Sequence, residues 1–170
     1  MVLIARKGVI VLHEAYGNLT PETDSPPLEL DTIFPLASIT KPITATAAMI
    51  LVEDGLLGLN RGIYGETRIL SPASVAEMTR NQIPGISSWL LDEFFPEAFW
   101  GLGWSIKGNK KFLGGGALDS SEAFSHIGAG GVFLWSDPVY EIVGVYFSVV
   151  LEQICIDLFM NAVTADVVEE

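Results

Sequence analysis

Ten consecutive residues, Ile43 to Val52, carry no charge on any face of the helix that their composition favours. A helix that is apolar all round is normally buried all round, so this segment demands cover on every side. Ser38 opens the helix, and Pro42 falls in its first turn, where a missing N–H does least harm. Gly55 follows Asp54 in the position that commonly closes a helix.

The other elements follow from similar local signals. Val2–Ala5 and Val9–Glu14 flank Arg6-Lys7-Gly8 as a tight hairpin, and neither run alternates strictly, as expected of a sheet covered on both faces. Residues 20–35, rich in Pro, Asp, Ser and Thr, read as a loop, as does Gly58–Glu66. Ser71 before Pro72 marks a second helix start, with Val75, Met78 and Thr79 at helical spacing. Further strands are expected at 101–107, 131–136 and 141–149, with Gly114–Gly116 looping between the first two. Leu151, Ile154, Cys155, Leu158, Phe159, Ala162 and Val163 form one apolar stripe of a C-terminal amphipathic helix. The sum is an α+β domain: an antiparallel sheet of about five strands flanked by helices.

Composition bounds the function. The chain has 170 residues, 49% hydrophobic and 18% charged, enough for one domain with a large core. Its net charge is −12, and no basic residue follows Lys111. Displacing the counterions of a phosphate backbone takes Lys and Arg, so nucleic-acid binding is excluded and an anionic membrane surface disfavoured. The longest stretch without a charged residue, 123–136, is fourteen residues, short of the roughly 20 that a spanning helix needs. No signal-peptide pattern stands at the N-terminus, which predicts a cytoplasmic protein. Cys155 is the only cysteine, so no internal disulfide or zinc-type CxxC pair is available. GxSxG, HExxH, Walker A and GxGxxG are absent, and no cofactor or metal is expected.

Two segments carry candidate chemistry. Ser38-Ile39-Thr40-Lys41 sets a hydroxyl at a helix start with an amine one turn later on the same face. A serine attacks well only when a base takes its proton, a desolvated lysine can serve, and first-turn amides can hold an oxyanion. The competing reading is a serine N-cap followed by a solvated lysine. His126 to Gly131 (HIGAGG) precedes the strand at Val132, and its small residues let a ligand or another backbone approach closely. The competing reading is a glycine bulge with His126 hydrogen-bonded locally. His13 has no acidic or serine partner at useful spacing and reads as structural. Trp89, Phe94, Phe95, Phe99, Trp100 and Trp104 read as core.

Four segments in order, Ser38-xx-Lys41, Arg68 to Met78 (RILSPASVAEM), Gly101 to Trp104 (GLGW) and Ser125 to Pro138 (SHIGAGGVFLWSDP), together resemble the serine β-lactamase-like superfamily. That group includes class C β-lactamases, DD-peptidases of the penicillin-binding type and family VIII carboxylesterases. The similarity spans 1–60 and about 65–165. It implies that Ser38 is acylated with Lys41 as its base partner. His126 and Gly128 match the third motif in its esterase-like form, His-x-Gly. Backbone amides of Ser38 and Ala129 would form the oxyanion hole.

The departures from the pattern shape the expected function. The family's Tyr-x-Asn motif lies on an all-helical lobe that is missing here near 60–65. Tyr64-Gly65-Glu66 is a superficial substitute for the tyrosine that ends in Glu at the wrong place. Ile127 stands where a hydroxyl residue is common. The expected protein is a single, shortened domain acting as a reduced serine hydrolase on small activated esters, with weak or no β-lactamase activity. The alternative is a non-catalytic scaffold of the same fold. With the lobe missing, the apolar helix 43–52 loses cover on one side, which predicts a homodimer or higher oligomer.

Overall fold

Lys7 and Gly8 both take positive φ, +49° and +75°, the conformation of a two-residue hairpin turn whose twist matches its strands. They join β1 (Val2–Arg6) to β2 (Val9–Glu14). The computed structural model describes residues 1–20, 22–54, 70–90, 93–110, 116–148 and 153–168. It falls into two compact units, Met1–Ile39 with Lys107–Glu170, and Thr40–Ile106.

The first unit contributes five antiparallel strands in the order β2-β1-β8-β7-β6. The later three are β6 (Phe124–Gly128), β7 (Val132–Asp137) and β8 (Ile142–Phe147). One face of the sheet packs on α3 (Gln153–Val168) around Val2, Ile4, Phe133, Trp135, Ile142, Ile156 and Met160. β2 is not covered on both faces as the sequence suggested: Val9, Ile10 and Val11 are each 60% exposed or more. It is an outer strand, and its register with β1 shifts at Ile4/Ala5, leaving Val11 unmatched.

The stripe on α3 is rotated by one residue from the predicted one. Ile156, Met160 and Thr164 are buried, with Phe159, Val163 and Val167 packed beside them, whereas Leu158 is 64% exposed. The cause lies outside the helix. Thr164 donates to the Asp119 carboxylate at 3.0 Å, which satisfies its hydroxyl and lets a polar residue face inward. Of the predicted stripe, Leu151 and the side chains of Ile154 and Cys155 lie outside the described residues.

Asp119 belongs to a polar clamp on the loop before β6. It also accepts from the Gly116 amide at 2.7 Å, and the Lys107 ammonium donates to the Gly116 carbonyl at 2.7 Å. Asn161 of α3 accepts from the Leu118 amide at 3.4 Å. Ser120 donates through its amide and hydroxyl to Asp137 at 2.7 and 2.8 Å. Burial pushes the Lys107 ammonium below its ordinary value and the Asp119 carboxyl above its own. Hydrogen bonds offset that cost for each charged form.

A 3-10 turn, Ala37–Ile39, lies on the sheet face opposite α3. A Cβ placed on Gly128 of β6 would run into the carbonyl oxygen of Leu36 and stand 3.5 Å from Ile39 Cγ1. Only a residue without a side chain admits the turn at this distance.

In the second unit α1 (Thr40–Glu53) buries Pro42 and Met49 but leaves Ile43 51% and Leu51 40% exposed. The helix is thus uncovered on one face, the loss of cover that the sequence led one to expect. Its threonines do not open the helix, because Thr44 and Thr46 donate to the carbonyls of Thr40 and Pro42. α2 (Pro72–Met78) is capped as predicted, with Ser71 Oγ accepting from the Ser74 amide at 3.1 Å. Glu53 ties the two helices by accepting from the Ser71 amide at 2.7 Å. β3 (Ser88–Leu90) pairs with β4 (Glu93–Phe95), and β5 is the short Ser105–Ile106. Phe95 is buried, but Trp89 is 72% and Phe94 49% exposed, so the aromatic stretch is core only in part. The junction 60–65, with Tyr64, lies outside the described residues.

Two stability predictions follow from these contacts. Gly128→Ala should cost about 1–3 kcal/mol, the usual range for overpacking a close backbone contact, read as a lower urea midpoint. Burial, together with the Lys107 ammonium, pushes Lys110 down to about 8. The unfolded chain then binds this proton more tightly than the folded one. Stability should rise as pH climbs from about 8 toward the ordinary lysine value near 10.4. Urea midpoints at pH 7.5 and 9.5 should show that gain in the parent and a smaller one in Lys110→Gln.

Candidate active site

The segment Leu36–Ile39 is built tightly. The Ile39 amide donates to the Leu36 carbonyl at 3.0 Å, closing a turn around Ala37 and Ser38. Ala37 is held at φ +46°, a conformation that costs a non-glycine residue on the order of 1 kcal/mol and that clusters at functional sites. Ile39 is 3% exposed and anchors the turn, while Ser38 is half-buried. The regular helix begins only at Thr40, so Ser38 sits on the 3-10 turn that leads into α1 rather than on α1 itself.

β6 brings the second candidate group to the same face. Side chains alternate along a strand, so His126 and Gly128 project on one side, about 6–7 Å apart. That is the side on which the turn rests on Gly128. Ile127 points the other way and packs against the α3 core. His126 is therefore on a strand, not in a loop before one. Its ring is 6% exposed, and Nδ1 lies 2.8 Å from the Ile127 carbonyl. A carbonyl only accepts, so Nδ1 is the donor in that contact. The local hydrogen bond and the placement beside the turn are both present.

The glycines after His126 form a hairpin loop rather than a bulge. Gly128 pairs with Val132 across the three residues 129–131, and Gly130 and Gly131 take φ +99° and +93°. Ala129 is the first residue beyond β6 and is exposed. The Gly131 carbonyl accepts from the Ser148 amide at 2.9 Å, which fixes the loop to the end of β8.

Lys41 lies on the first turn of α1 and is exposed. Ser38, His126, Gly128 and Ala129 all belong to the first unit, and Lys41 to the second. Sequence patterns gave no sign of the strained Ala37 or of the Leu36 carbonyl that seats the turn. Both are backbone features, and neither residue type announces them. Among the described residues no cluster of three or more His, Cys, Asp or Glu could hold a metal, and no helix is long and apolar enough to cross a membrane.

Comparison with known proteins bears on the fold and on the N-terminal half of the chain. Residues 1–79 match the family model described as Beta-lactamase. The chain is 40% identical over 57 residues to penicillin-binding protein 4* of Bacillus subtilis (strain 168), covering 34% of this chain and 12% of that protein. It is 43% identical over 60 residues to esterase EstB of Burkholderia gladioli, covering 35% of this chain and 15% of that one. It thus spans only a small part of the length of either relative. The crystal structure of a β-lactamase from Mycobacterium bovis superposes with a TM-score of 0.74 at 17% identity, over 99% of this chain and 93% of its own. With an antiparallel sheet backed by α3 and a serine turn seated on its other face, the chain has a β-lactamase-like α+β fold, and its first 79 residues match the Beta-lactamase family model.

Proposed function

We propose that the chain is a serine acyl hydrolase acting on small activated esters. The observation that carries this reading is the seating of the Ser38 turn on Gly128, on the strand face that His126 shares. Ser38 Oγ attacks the ester carbonyl, and its proton passes to a base. The amides of Ser38 and Ala129 hold the oxyanion, the alcohol or phenol departs, and water hydrolyses the acyl-serine. The esterase among the relatives supports the substrate class.

The base is the point on which the sequence motif and the geometry differ. Desolvation turns a lysine into a base, and Lys41 is exposed. The buried His126, on the strand face that seats the Ser38 turn, takes that task in this reading. Without a tyrosine acid the leaving group departs unassisted, so good leaving groups are favoured and β-lactam turnover is weak or nil. The exposure of Lys41 also favours a second reading, a non-catalytic scaffold that binds or assembles without acylating.

p-Nitrophenyl acetate should acylate the protein, with an intact-mass gain of one acetyl group that Ser38→Ala abolishes. Loss of the rate in His126→Gln identifies the histidine base. Acetylation that persists in Ser38→Ala overturns the nucleophile, and none in either protein favours the scaffold. The exposed Ile43 and Leu51 of α1 support a homodimer or higher oligomer. Light scattering at micromolar concentration should then give at least twice 18.4 kDa, and a monodisperse monomer contradicts it.

A further inference from the structure

The loop that follows β2 folds back on itself beside the ends of β1 and β8. The Leu19 amide donates to the Pro26 carbonyl at 2.8 Å, and the Leu28 amide to the Gly17 carbonyl at 2.9 Å. Between this loop and the strand ends lies a cavity of about 340 Å³. Tyr16, Tyr146 and Phe147 bring aromatic rings to its lining. Asn18, Thr20 and Ser148 add amide and hydroxyl groups, and no acidic, basic or histidine side chain lines it.

We infer that this cavity binds a small uncharged aromatic compound, a single benzene ring that carries a hydroxyl group. Ordinary small-molecule pockets run from about 300 to 1,000 Å³, so the space suits one ring with few substituents. A charged group entering it would give up water without meeting a side chain of opposite charge. Anions are disfavoured further by the net charge of −12. The amino group of Met1 also borders the cavity. It donates to the Phe147 carbonyl at 3.0 Å, and the Phe147 amide donates to the Met1 carbonyl at 2.9 Å, so these backbone groups already have partners.

The three rings favour an aromatic ligand over an aliphatic one, because offset and edge-to-face pairs gain more than area burial alone. Their positions are set by the fold. Tyr146 packs on Phe159 with ring centroids 5.6 Å apart, and Phe147 on Phe34 at 5.0 Å. Tyr16 is exposed, and its hydroxyl donates to the Glu14 carboxylate. A hydroxyl on the ligand can both donate and accept, as can the side chains of Asn18, Thr20 and Ser148. Binding here needs no acyl transfer at Ser38, so failure of either leaves the other standing.

The test is a titration of the intact protein, followed by the chemical shifts of its backbone amides, with 4-methylphenol, 4-methylcyclohexanol and 4-methylbenzoate at pH 7. The second keeps the hydroxyl but loses the aromatic ring, and the third keeps the ring but replaces the hydroxyl with a charge. 4-Methylphenol should shift the amides of Gly17, Asn18 and Ser148 saturably, and each of the others should bind at least about threefold more weakly. Tyr16→Leu, which keeps apolar bulk without the ring, should weaken 4-methylphenol by a similar factor. Thr20→Trp, at an exposed position of the lining, should obstruct the cavity, and circular dichroism should stay unchanged in both. Absence of 4-methylphenol binding, or shifts confined to another part of the protein, overturns the proposal. So does equal binding of either of the other two compounds, or unchanged affinity in both variants.

Discussion

The meeting of two backbones, the Leu36 carbonyl and the β6 strand at Gly128, governs the rest of the candidate site. Because no side chain stands between them, the turn that carries Ser38 rests directly on the strand that carries His126. Everything chemical about the site follows from that distance. The Ser38 turn and the His126 side chain thus lie on one face of one sheet, the turn held there by backbone rather than by a long side chain. Preorganisation of this kind is inexpensive at the moment of reaction because little has to move. Part of its cost is visible at Ala37, in a left-handed conformation that an alanine does not choose by itself.

The opposite side of the sheet is held by a different balance. Ile156 and Met160 supply apolar burial against Trp135 and Phe133, but the orientation of α3 is set by the clamp of Lys107, Asp119, Thr164 and Asn161. Hydrophobic contact is non-directional, and an almost uniformly apolar helix can roll without losing much of it. Directional hydrogen bonds to a buried carboxylate choose one rotation. The same burial that makes those bonds strong disfavours the charges of Lys107 and Asp119, so the clamp holds only with every partner in place.

What the sequence disclosed was what is local. The Lys7-Gly8 turn and the Ser71 cap were legible because each is specified within a few residues. The rotation of α3 was not, since Asp119 lies 45 positions from Thr164. β6 escaped notice as a strand because its serine, histidine and glycine show no apolar alternation. The uncharged helix was placed correctly, but its exposed Ile43 and Leu51 depend on what surrounds it. At the site, the family resemblance singled out Ser38, His126, Gly128 and Ala129, and all four belong to one unit. The motif also singled out Lys41, yet burial decides whether a lysine can act as a base, and spacing says nothing about burial.

The most direct measurement of the central claim is a crystal structure of the protein after reaction with a fluorophosphonate, whose phosphonyl oxygen mimics the oxyanion of acyl transfer. The account predicts phosphorus bonded to Ser38 Oγ, with the phosphonyl oxygen within hydrogen-bond distance of the Ala129 amide and the His126 ring beside it. Phosphorus on another residue, or on Ser38 with the oxygen turned away from β6, would contradict it.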